Sequence, residues 1–268
     1  MVMIDNTDSV TLRNTYNPDG SNLRKLQLRM LEILKVVDEI CMKHDIKYWL
    51  SSGTLLGAVR HGGFIPWDDD LDIEMLREDY LKFIKIVPLE LPHYLILQTD
   101  ETDPNYIYLS AKIRDLNSYI YDKLEVNRML RHQGAFIDVF CLEPSLRWCR
   151  KLSVPLFNIF TWRFISKTGF KRNRYHILRK LLKKYIYPFF RLCSKFAPQD
   201  RLFHTFGVFF PLPRYKGEIF PLSKIEFEGS LFNAPHNCDS YLRRLYGEYE
   251  KLPKKIEPHI IDNIIEIY

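Results

Sequence analysis

Apolar residues at three- and four-residue intervals predict a long amphipathic helix near the start of the chain. Ser21 or Asn22 is suited to cap this helix, and the apolar pattern ends near His44. The apolar run 46–50 then predicts a short buried strand.

Beyond that strand, the pattern predicts a turn, a second helix and a further strand. Ser51-Ser52-Gly53-Thr54 favours a turn, residues 55–60 a short helix, and His61-Gly62-Gly63 its end. Alternation of polar and apolar residues from Asp70 to Glu74 predicts a half-buried strand, and a helix around 77–87 follows. Four more strands are predicted, at 94–97, 108–114, 119–122 and 134–140. This order predicts an α+β or mixed α/β fold with a mixed sheet flanked by helices.

Composition is typical of a globular protein, but charge is unevenly distributed. The 268 residues are 46% hydrophobic and 27% charged, which excludes a disordered or collagen-like chain. The net charge is +6, yet fourteen Lys and Arg and no Asp or Glu lie between Arg147 and Lys195. The rest of the chain carries a net charge of −8. The protein is therefore an acidic body with one basic segment, residues 147–201, which is mostly helical in pattern.

Cysteine usage and the apolar runs suggest where the chain resides. Its first twenty residues lack the apolar core of a signal peptide, and its five cysteines form no C-x-x-C pair. The longest apolar stretch, 152–165, is shorter than the roughly 20 residues that span a bilayer. We expect a cytoplasmic protein, with peripheral contact at the inner face of the membrane.

Four aspartates within five residues are the strongest chemical signal in the sequence. Asp70 and Asp72 lie two residues apart on the predicted strand, together with Asp68 if the strand begins early, so they share one face. Because nothing in folding alone favours such a row of like charges, a hard cation such as Mg²⁺, with Mn²⁺ as the alternative, would offset their repulsion. The structural alternative is a solvated acidic loop. Apolar residues before and between the aspartates favour the metal site.

Two further features complement the aspartates. Asp138 is the acidic residue of the apolar strand 134–140, and it is either a salt-bridged core residue or a third metal ligand from a neighbouring strand. The Gly53-Thr54 turn lets backbone amides and a hydroxyl approach a phosphate at the start of a helix, although it is not a Walker A loop.

The run from Gly53 to Ile73, GTLLGAVRHGGFIPWDDDLDI, closely resembles the signature of the LicD family. This family groups phosphotransferases of the nucleotidyltransferase-like superfamily, related to fukutin-type ribitol-phosphate transferases. Later stretches also resemble the family: Lys112-Ile113-Arg114-Asp115, Ile137–Phe140, Phe220-Pro221-Leu222, Phe227-Glu228-Gly229, Tyr241-Leu242 and 246–253. The resemblance covers about residues 22–259, with the basic segment as the variable part. It implies a nucleotidyltransferase-like catalytic core at 22–146, a basic amphipathic helical insertion at 147–201, and a return to the catalytic module at 202–268.

The resemblance also implies an activity. Such enzymes transfer a phospho-alcohol, such as phosphocholine or ribitol phosphate, from a CDP-activated donor to a sugar of a glycan such as lipopolysaccharide, capsule or teichoic acid. By resemblance, Asp70, Asp72 and Asp138 hold the metal and Gly53-Thr54 holds the donor phosphates. Asp138 or Asp68 would accept the proton of the attacking sugar hydroxyl. Thr54 stands where the wider superfamily has serine, and it keeps the hydroxyl.

Four basic residues are candidates for phosphate or acceptor contacts. Arg60 and His61 follow the signature helix, and their alternative role is to cap its C-terminal end. Lys112 and Arg114 alternate on a strand, and either could instead pair with an acidic neighbour.

The basic segment has three interpretations. Apolar and basic pairs alternate from Ile177 to Ile186 until Pro188, which should kink or end the helix. A basic and aromatic helix suits an anionic membrane surface, where a lipid-linked glycan acceptor would be found. The alternatives are a packed surface helix and binding of a polyanion; no nucleic-acid motif accompanies the charge, so we expect no nucleic-acid partner.

Two other functions stay open at this level. One is a nucleotidyltransferase that passes a nucleoside monophosphate to a small molecule or a protein. The other is a catalytically inactive scaffold that tethers glycan assembly to the membrane, against which the intact Asp70, Asp72 and Asp138 set argues.

Overall fold

The computed structural model describes residues 6–121, 125–166, 169–253, 256 and 265–267. The helices, in chain order, are α1 (Asn6–Tyr16), α2 (Asn22–Lys43), α3 (Ser52–His61), α4 (Arg77–Glu90), α5 (Glu125–Arg128), α6 (Arg147–Ser166), α7 (Gly169–Leu181), α8 (Tyr187–Cys193), α9 (Lys216–Ile219) and α10 (Cys238–Tyr246). The strands are β1 (Trp49–Leu50), β2 (Asp72–Leu76), β3 (Leu95–Gln98), β4 (Ala111–Asp115), β5 (Ser118–Ile120), β6 (Phe136–Pro144), β7 (Arg201–His204), β8 (Arg214–Tyr215), β9 (Ser223–Phe227), β10 (Ser230–Ala234) and β11 (Ile265–Ile267). The predicted α+β class, with a sheet flanked by helices, is confirmed.

The chain forms two compact units. Unit 1 comprises residues 1–140 and 218–268, and unit 2 comprises residues 141–217. These limits mark where one compactly packed part of the chain ends and the other begins. The predicted limits of the catalytic module at 146 and 201 concern function, and they stay predictions.

The sheet of unit 1 brings the sequence motifs together. Its strands lie in the order β1-β2-β6-β4-β3, and β4 runs antiparallel to both β3 and β6. The register sets Lys112 opposite Asp138 and Trp49 opposite Glu74. The antiparallel hairpin β9–β10 lies near β1 and α3. Two motifs distant in sequence, on β2 and β6, therefore lie on adjacent strands.

The amphipathic helix predicted after Ser21 is confirmed as α2. The Ser21 hydroxyl caps it by accepting a hydrogen bond of 3.1 Å from the backbone N–H of Arg24, and His44 follows its last residue. Its buried face includes Met30, Ile33, Leu34, Val37 and Cys41. Each such aliphatic side chain contributes roughly 1.5–3 kcal/mol by leaving water, so tertiary burial stabilises this helix.

Three predicted boundaries near the aspartates are wrong by a few residues. The strand predicted at 46–50 forms only at Trp49–Leu50, because pairing with β2 begins there. The second helix begins at Ser52, so Gly53 and Thr54 lie in its first turn. The next strand begins at Asp72, and Asp68 and Asp70 precede it in a turn in which Asp68 N–H bonds to the Ile65 carbonyl.

The later strand predictions are confirmed in place but shift at their ends. The runs predicted at 94–97, 108–114 and 134–140 correspond to β3, β4 and β6. The run 119–122 corresponds to β5, and Asp122 lies outside the described residues.

Unit 2 consists of the end of β6, the helices of the basic segment, and strands β7 and β8. The helical prediction is confirmed, and the regular α-helix of this segment is interrupted just before Pro188, where a kink or an end was predicted. The chain passes from α7 through a π-turn, Leu182–Ile186, into α8, and Pro188 lies in the first turn of α8, where its missing N–H costs little. The buried Glu143 carboxylate anchors these helices through two hydrogen bonds from Arg191, of 2.6 and 3.1 Å.

None of the helices in the described residues is long and apolar enough to cross a membrane. All five cysteines are free thiols.

Candidate active site

Two of the predicted aspartates, Asp68 and Asp70, lie against the N-terminal end of α3, and Asp72 begins the neighbouring strand β2. We call Asp68, Asp70 and Asp72 the aspartate cluster. A Cβ atom added at Gly53 would lie 2.6 Å from Asp68 Oδ2 and 3.9 Å from Asp70 Oδ1. A side chain at this position would therefore push the Asp68 carboxylate aside, whereas its distance to Asp70 would be an ordinary contact.

Thr54 connects the helix to the strand that carries the third aspartate. Its hydroxyl oxygen accepts a hydrogen bond of 2.8 Å from the backbone N–H of Asp72, and the Asp72 carbonyl accepts one of 3.1 Å from Ser51 N–H. The first turn of α3 and the first residue of β2 are thus held together. The Thr54 hydroxyl therefore makes a structural hydrogen bond that a nonpolar side chain could not make.

Electrostatics in the cluster oppose ionisation. Burial raises the pKa of Asp68 well above its usual value, and the charges of Asp70 and Asp69 add to the effect. Burial likewise raises the pKa of Asp72, with further contributions from Asp70 and Asp138. An arrangement in which carboxylates raise each other's pKa gains free energy when a cation arrives.

Asp138 lies beside the cluster but already has polar partners. Its Oδ2 accepts a hydrogen bond of 2.5 Å from Lys112 Nζ, and its Oδ1 accepts one of 3.0 Å from the Ser110 hydroxyl. Burial lowers the pKa of Lys112, against the opposing effect of Asp138. The sequence left open that a basic residue of this strand pairs with an acidic neighbour. Lys112 makes such a pair with Asp138.

Arg114 is buried and fixed by a different set of contacts. It donates to the Gln98 side chain and, at 2.8 Å, to the Gly134 carbonyl. With Lys112 it lines a cavity of about 100 Å³, which we call the Lys112 cavity; the other lining residues are Tyr108, Ile120, Asn127, Gln133 and Phe136.

Arg60 and His61 make structural contacts at the end of α3. Arg60 donates to the Tyr249 carbonyl at 3.3 Å and to His61 Nε2 at 2.9 Å, and His61 Nδ1 lies 3.3 Å from the Ser9 hydroxyl. Burial and the adjacent Arg60 lower the pKa of His61 to about 4. Arg60 is close enough to Asp68 to interact with its charge. Their role as phosphate contacts stays a prediction.

A buried ion pair holds the loop that leads to the aspartates. Arg24 of α2 bonds to both oxygens of Glu228, at 3.0 and 2.7 Å, and Glu228 also accepts a hydrogen bond of 3.1 Å from Phe64 N–H. Gln27 donates to the carbonyl of Asp68 at 2.9 Å. We call the first contact the Arg24–Glu228 pair. The loop position is therefore determined by α2 and by the β9–β10 turn.

Glu74 has no predicted role, yet it is fully buried on β2, two residues after Asp72. Its carboxylate accepts hydrogen bonds from Trp49 Nε1 at 3.2 Å and from the Tyr241 hydroxyl at 2.7 Å, and that hydroxyl lies 3.0 Å from Ser51 Oγ. A signal existed, because Glu74 is two residues from Asp72 on the same strand and Tyr241 lies in a family-like stretch. Glu228, in the family-like stretch Phe227-Glu228-Gly229, also had no predicted role.

The cluster fits a divalent cation of the kind that the family resemblance implies. Its donors are carboxylate oxygens, and their mutual repulsion is the cost that a cation offsets. In the described ranges, three or more acidic, imidazole or thiol groups do not converge on one position. Mg²⁺ commonly binds to one or two carboxylates and takes its other ligands from substrate phosphates and water, so Asp70 and Asp72 would suffice with a diphosphate.

Comparison with known proteins gives a family match over this site. Residues 45–114 match the family model described as LicD/FKTN/FKRP, nucleotidyltransferase domain. The matched region contains α3, the aspartate cluster and Lys112.

One similarity extends over nearly the whole chain. The lipopolysaccharide cholinephosphotransferase LicD of Haemophilus influenzae is 28% identical over 267 residues, covering 89% of this chain and 96% of that protein. Other similarities are partial. An uncharacterized protein of Rickettsia typhi is 52% identical over 100 residues, covering 37% of this chain and 30% of its own length. The human ribitol 5-phosphate transferase FKRP is 56% identical over 34 residues, 13% of this chain and 7% of that protein. The predicted resemblance to the LicD family is confirmed by the match over residues 45–114 and by a relative that covers nearly the whole chain, and these similarities indicate a LicD-type transferase.

Proposed function

We propose that the protein transfers a phospho-alcohol from a CDP-activated donor to a sugar hydroxyl of a cell-surface glycan, with Mg²⁺ as cofactor. The glycan would be of the lipopolysaccharide, capsule or teichoic acid type. The single observation that carries the proposal is the aspartate cluster packed against Gly53 at the start of α3. The relatives named for cholinephosphate and ribitol-phosphate transfer support the same reaction class.

The first turn of α3 would bind the donor diphosphate. Helix N-termini present backbone N–H groups and a positive dipole to anions. The absence of a side chain at Gly53 makes room beside this turn for the Asp68 carboxylate, and Thr54 ties the turn to Asp72. The phosphates would therefore lie next to Asp70 and Asp72.

Asp70 and Asp72 would hold Mg²⁺, which when bound neutralises the diphosphate and stabilises the leaving CMP. Asp138 would join them as a third ligand by exchanging its contact with Lys112. Lys112 would then be free to approach the phosphoryl oxygens.

Between the two candidate bases, Asp68 suits proton transfer better than Asp138. Burial and the neighbouring Asp70 and Asp69 charges raise the pKa of Asp68, which makes it a stronger proton acceptor. Asp138 instead bonds to Lys112 and Ser110. In the reaction, the sugar oxygen attacks the phosphorus atom, its proton passes to Asp68, and the bond to CMP breaks.

The Lys112 cavity favours a hydroxylated alcohol over choline. Arg114 Cζ lies 4.4 Å from the centre of the Phe136 ring, so a cation stays against the aromatic ring that a quaternary ammonium would need even when Lys112 turns to the phosphoryl oxygens. The remaining polar lining, including Asn127 and Gln133, suits hydroxyl groups. Ribitol phosphate is therefore the preferred cargo of the two.

The test is release of CMP from a panel of CDP-alcohols, including CDP-ribitol and CDP-choline, with Mg²⁺ and a glycan acceptor. Asp72→Asn should reduce CMP release at least ~10³-fold, as expected when a charge that positions the reacting phosphate is lost. Asp45→Asn makes the same change at an exposed position beyond the end of α2, and it should keep full activity.

Each competing function predicts a different result. Near-normal turnover of Asp72→Asn would overturn the role of the cluster. Pyrophosphate release from a nucleoside triphosphate would indicate nucleotidyl transfer. A folded wild-type protein that is inactive with every donor would indicate a scaffold.

Peripheral membrane contact through residues 147–201 and a lipid-linked acceptor also stay part of the proposal. Support comes from exposed apolar side chains among the basic residues of this segment, including Trp162, Ile177, Phe189 and Phe196.

A further inference from the structure

Unit 2 contains a cavity of about 740 Å³ that is separate from the predicted motifs. It lies at the N-terminal end of α6, and we call it the basic cavity. It is lined by Ser145, Leu146, Arg147, Arg150, Lys151, Val154, Pro155, Pro198, Arg201, Phe203, Val208, Phe209, Phe210 and Pro211. Every lining residue belongs to unit 2.

The lining of the basic cavity is suited to an anion. Arg147, Arg150 and Lys151 lie on one face of α6, and Arg201 joins them from β7. The lining residues that the structure describes include no Asp or Glu. The twenty-residue helix α6 begins at this point, and its N-terminal dipole adds to the positive potential.

Ser145 adds a buried hydroxyl without a hydrogen-bond partner to the lining of this cavity. Its side chain is only 7% exposed, it lines the cavity, and its Oγ has no hydrogen-bond partner in the structure. A buried hydroxyl without a partner costs free energy. Rotation of the Ser145 side chain toward the cavity would let a phosphate oxygen accept its hydrogen bond.

Arg150 is held in place for such a contact. Its guanidinium stacks on Phe203, with Cζ 3.6 Å from the ring centre, and donates to the Phe210 carbonyl at 3.0 Å. Burial and the nearby Arg201 charge lower its pKa, and the described lining residues supply no compensating negative charge. An entering anion would supply one.

Apolar groups surround the same cations. Val154, Pro155, Phe209 and Pro211 line the cavity, and Phe209 is 76% exposed. On α6, Trp148, Leu152 and Ile159 are also exposed, on the face opposite its buried residues. A free phosphate or a nucleic acid would not use this apolar surface, whereas a phosphate attached to a hydrocarbon chain would use both parts.

We propose that the basic cavity binds the phosphate headgroup of an anionic lipid, whose hydrocarbon chain lies against the exposed apolar side chains of α6 and Phe209. Ser145, Arg147, Arg150, Lys151 and Arg201 contact the phosphate. This goes beyond general attraction of the basic segment to a membrane, because it names a headgroup site. It also does not depend on the catalytic proposal.

The test is co-flotation of the full chain with phosphatidylcholine vesicles that contain or lack phosphatidic acid, at physiological salt. Wild type should bind only the vesicles with phosphatidic acid. Lys151→Glu/Arg201→Glu changes two exposed residues of the cavity, and it should weaken binding about tenfold or more. Ser145→Ala should weaken binding by a smaller factor with no change in net charge.

Lys180→Glu/Lys184→Glu is the matched control. It makes the same charge change at two exposed residues of unit 2 outside the cavity lining. It should weaken binding less than about threefold if the cavity contributes most of the binding. Thermal unfolding of each variant establishes that it is folded.

Four results would overturn the proposal. They are no binding of wild type to phosphatidic acid vesicles, equal losses in the two double variants, equally tight binding of soluble glycerol phosphate, and preferential binding of single-stranded RNA that requires Lys151 and Arg201. The third would indicate a soluble phosphate ligand and the fourth a polyanion site. CMP release in the soluble assay is unaffected by these results, so failure here and failure of the catalytic proposal are distinguishable.

Discussion

Two neighbouring regions of unit 1 bury charge in opposite ways. The Arg24–Glu228 pair joins a guanidinium to a carboxylate through two hydrogen bonds and adds a third from Phe64. Four residues after Phe64, the aspartate cluster gathers carboxylates that raise one another's pKa. The first region is balanced by its own ion pair and holds the loop, whereas in the second the carboxylates raise one another's pKa, a cost that a bound cation would offset.

The difference distinguishes structural charge from functional charge. Removing one partner from a balanced buried pair leaves an uncompensated charge and destabilises the fold. Removing one charge from the cluster relieves repulsion and should stabilise the fold while activity is lost. The sign of the stability change upon neutralisation is thus a way to test the comparison.

The largest expected change in stability comes from breaking the balanced pair. Arg24→Met should lower the free energy of unfolding by about 3 kcal/mol, because it leaves Glu228 buried without its cation. Urea unfolding at pH 7 measures this. Adding Glu228→Gln should recover part of the loss, and a double variant no more stable than Arg24→Met would contradict the assignment.

The same pair predicts a dependence on pH. Burial acts to raise the pKa of Glu228, but the hydrogen bonds from Arg24 outweigh it and hold the pKa below its usual value. The contribution of the Arg24–Glu228 pair to the free energy of unfolding is therefore complete above the unfolded-state pKa of glutamate, about 4.3. It is lost as pH falls through the lower pKa of Glu228 in the folded state.

Unfolding free energies of wild type and Arg24→Met, measured from pH 7 to pH 3, should differ by a constant amount down to about pH 5 and converge below about pH 4. A difference that grows with acid would be inconsistent with this sign.

Neutralising the cluster should have a smaller effect of opposite sign. Asp72→Asn should raise the free energy of unfolding by about 1 kcal/mol, because it removes a disfavoured charge beside Asp70 and Asp138. Urea unfolding without divalent cations measures the gain. Added Mg²⁺ should stabilise wild type more than the variant, and a loss of stability in the variant would argue against excess charge at this site.

The smallest effect should come from an exposed pair, which sets the baseline. Lys251 and Glu248 are about three-quarters exposed. Lys251→Ala should change the free energy of unfolding by less than about 0.5 kcal/mol. A larger change would contradict our inference that exposed ion pairs contribute little to stability while buried charges contribute much.

Local sequence patterns were sufficient where structure depends on local contacts. The amphipathic period and the Ser21 cap predicted α2 to within a residue at each end, because its buried face repeats along its own length. The end of α3 at Gly62, whose φ is 71°, was also predictable locally, because glycine readily adopts the left-handed conformation that follows many helices. The residues of the cluster were predicted from their spacing and from family resemblance.

Features that depend on distant contacts could not be predicted. The start of β2 at Asp72 depends on where β1 pairs with it, and the loop that carries Asp68 is held by Gln27 and Glu228. Lys112 pairs with Asp138 because of the register of β4 against β6. The basic cavity requires Arg201 to meet α6, about fifty residues earlier, and no periodicity along the chain carries that information.

The Arg24–Glu228 pair also has a consequence for synthesis on the ribosome. Its partners are 204 residues apart, and the whole of unit 2 is translated between them. Unit 2 is a continuous stretch, so it can fold before the Glu228 hairpin has left the exit tunnel. The loop that leads to Asp68 is then secured only near the end of translation. The charged site would thus be completed late, after most of the chain has already been made.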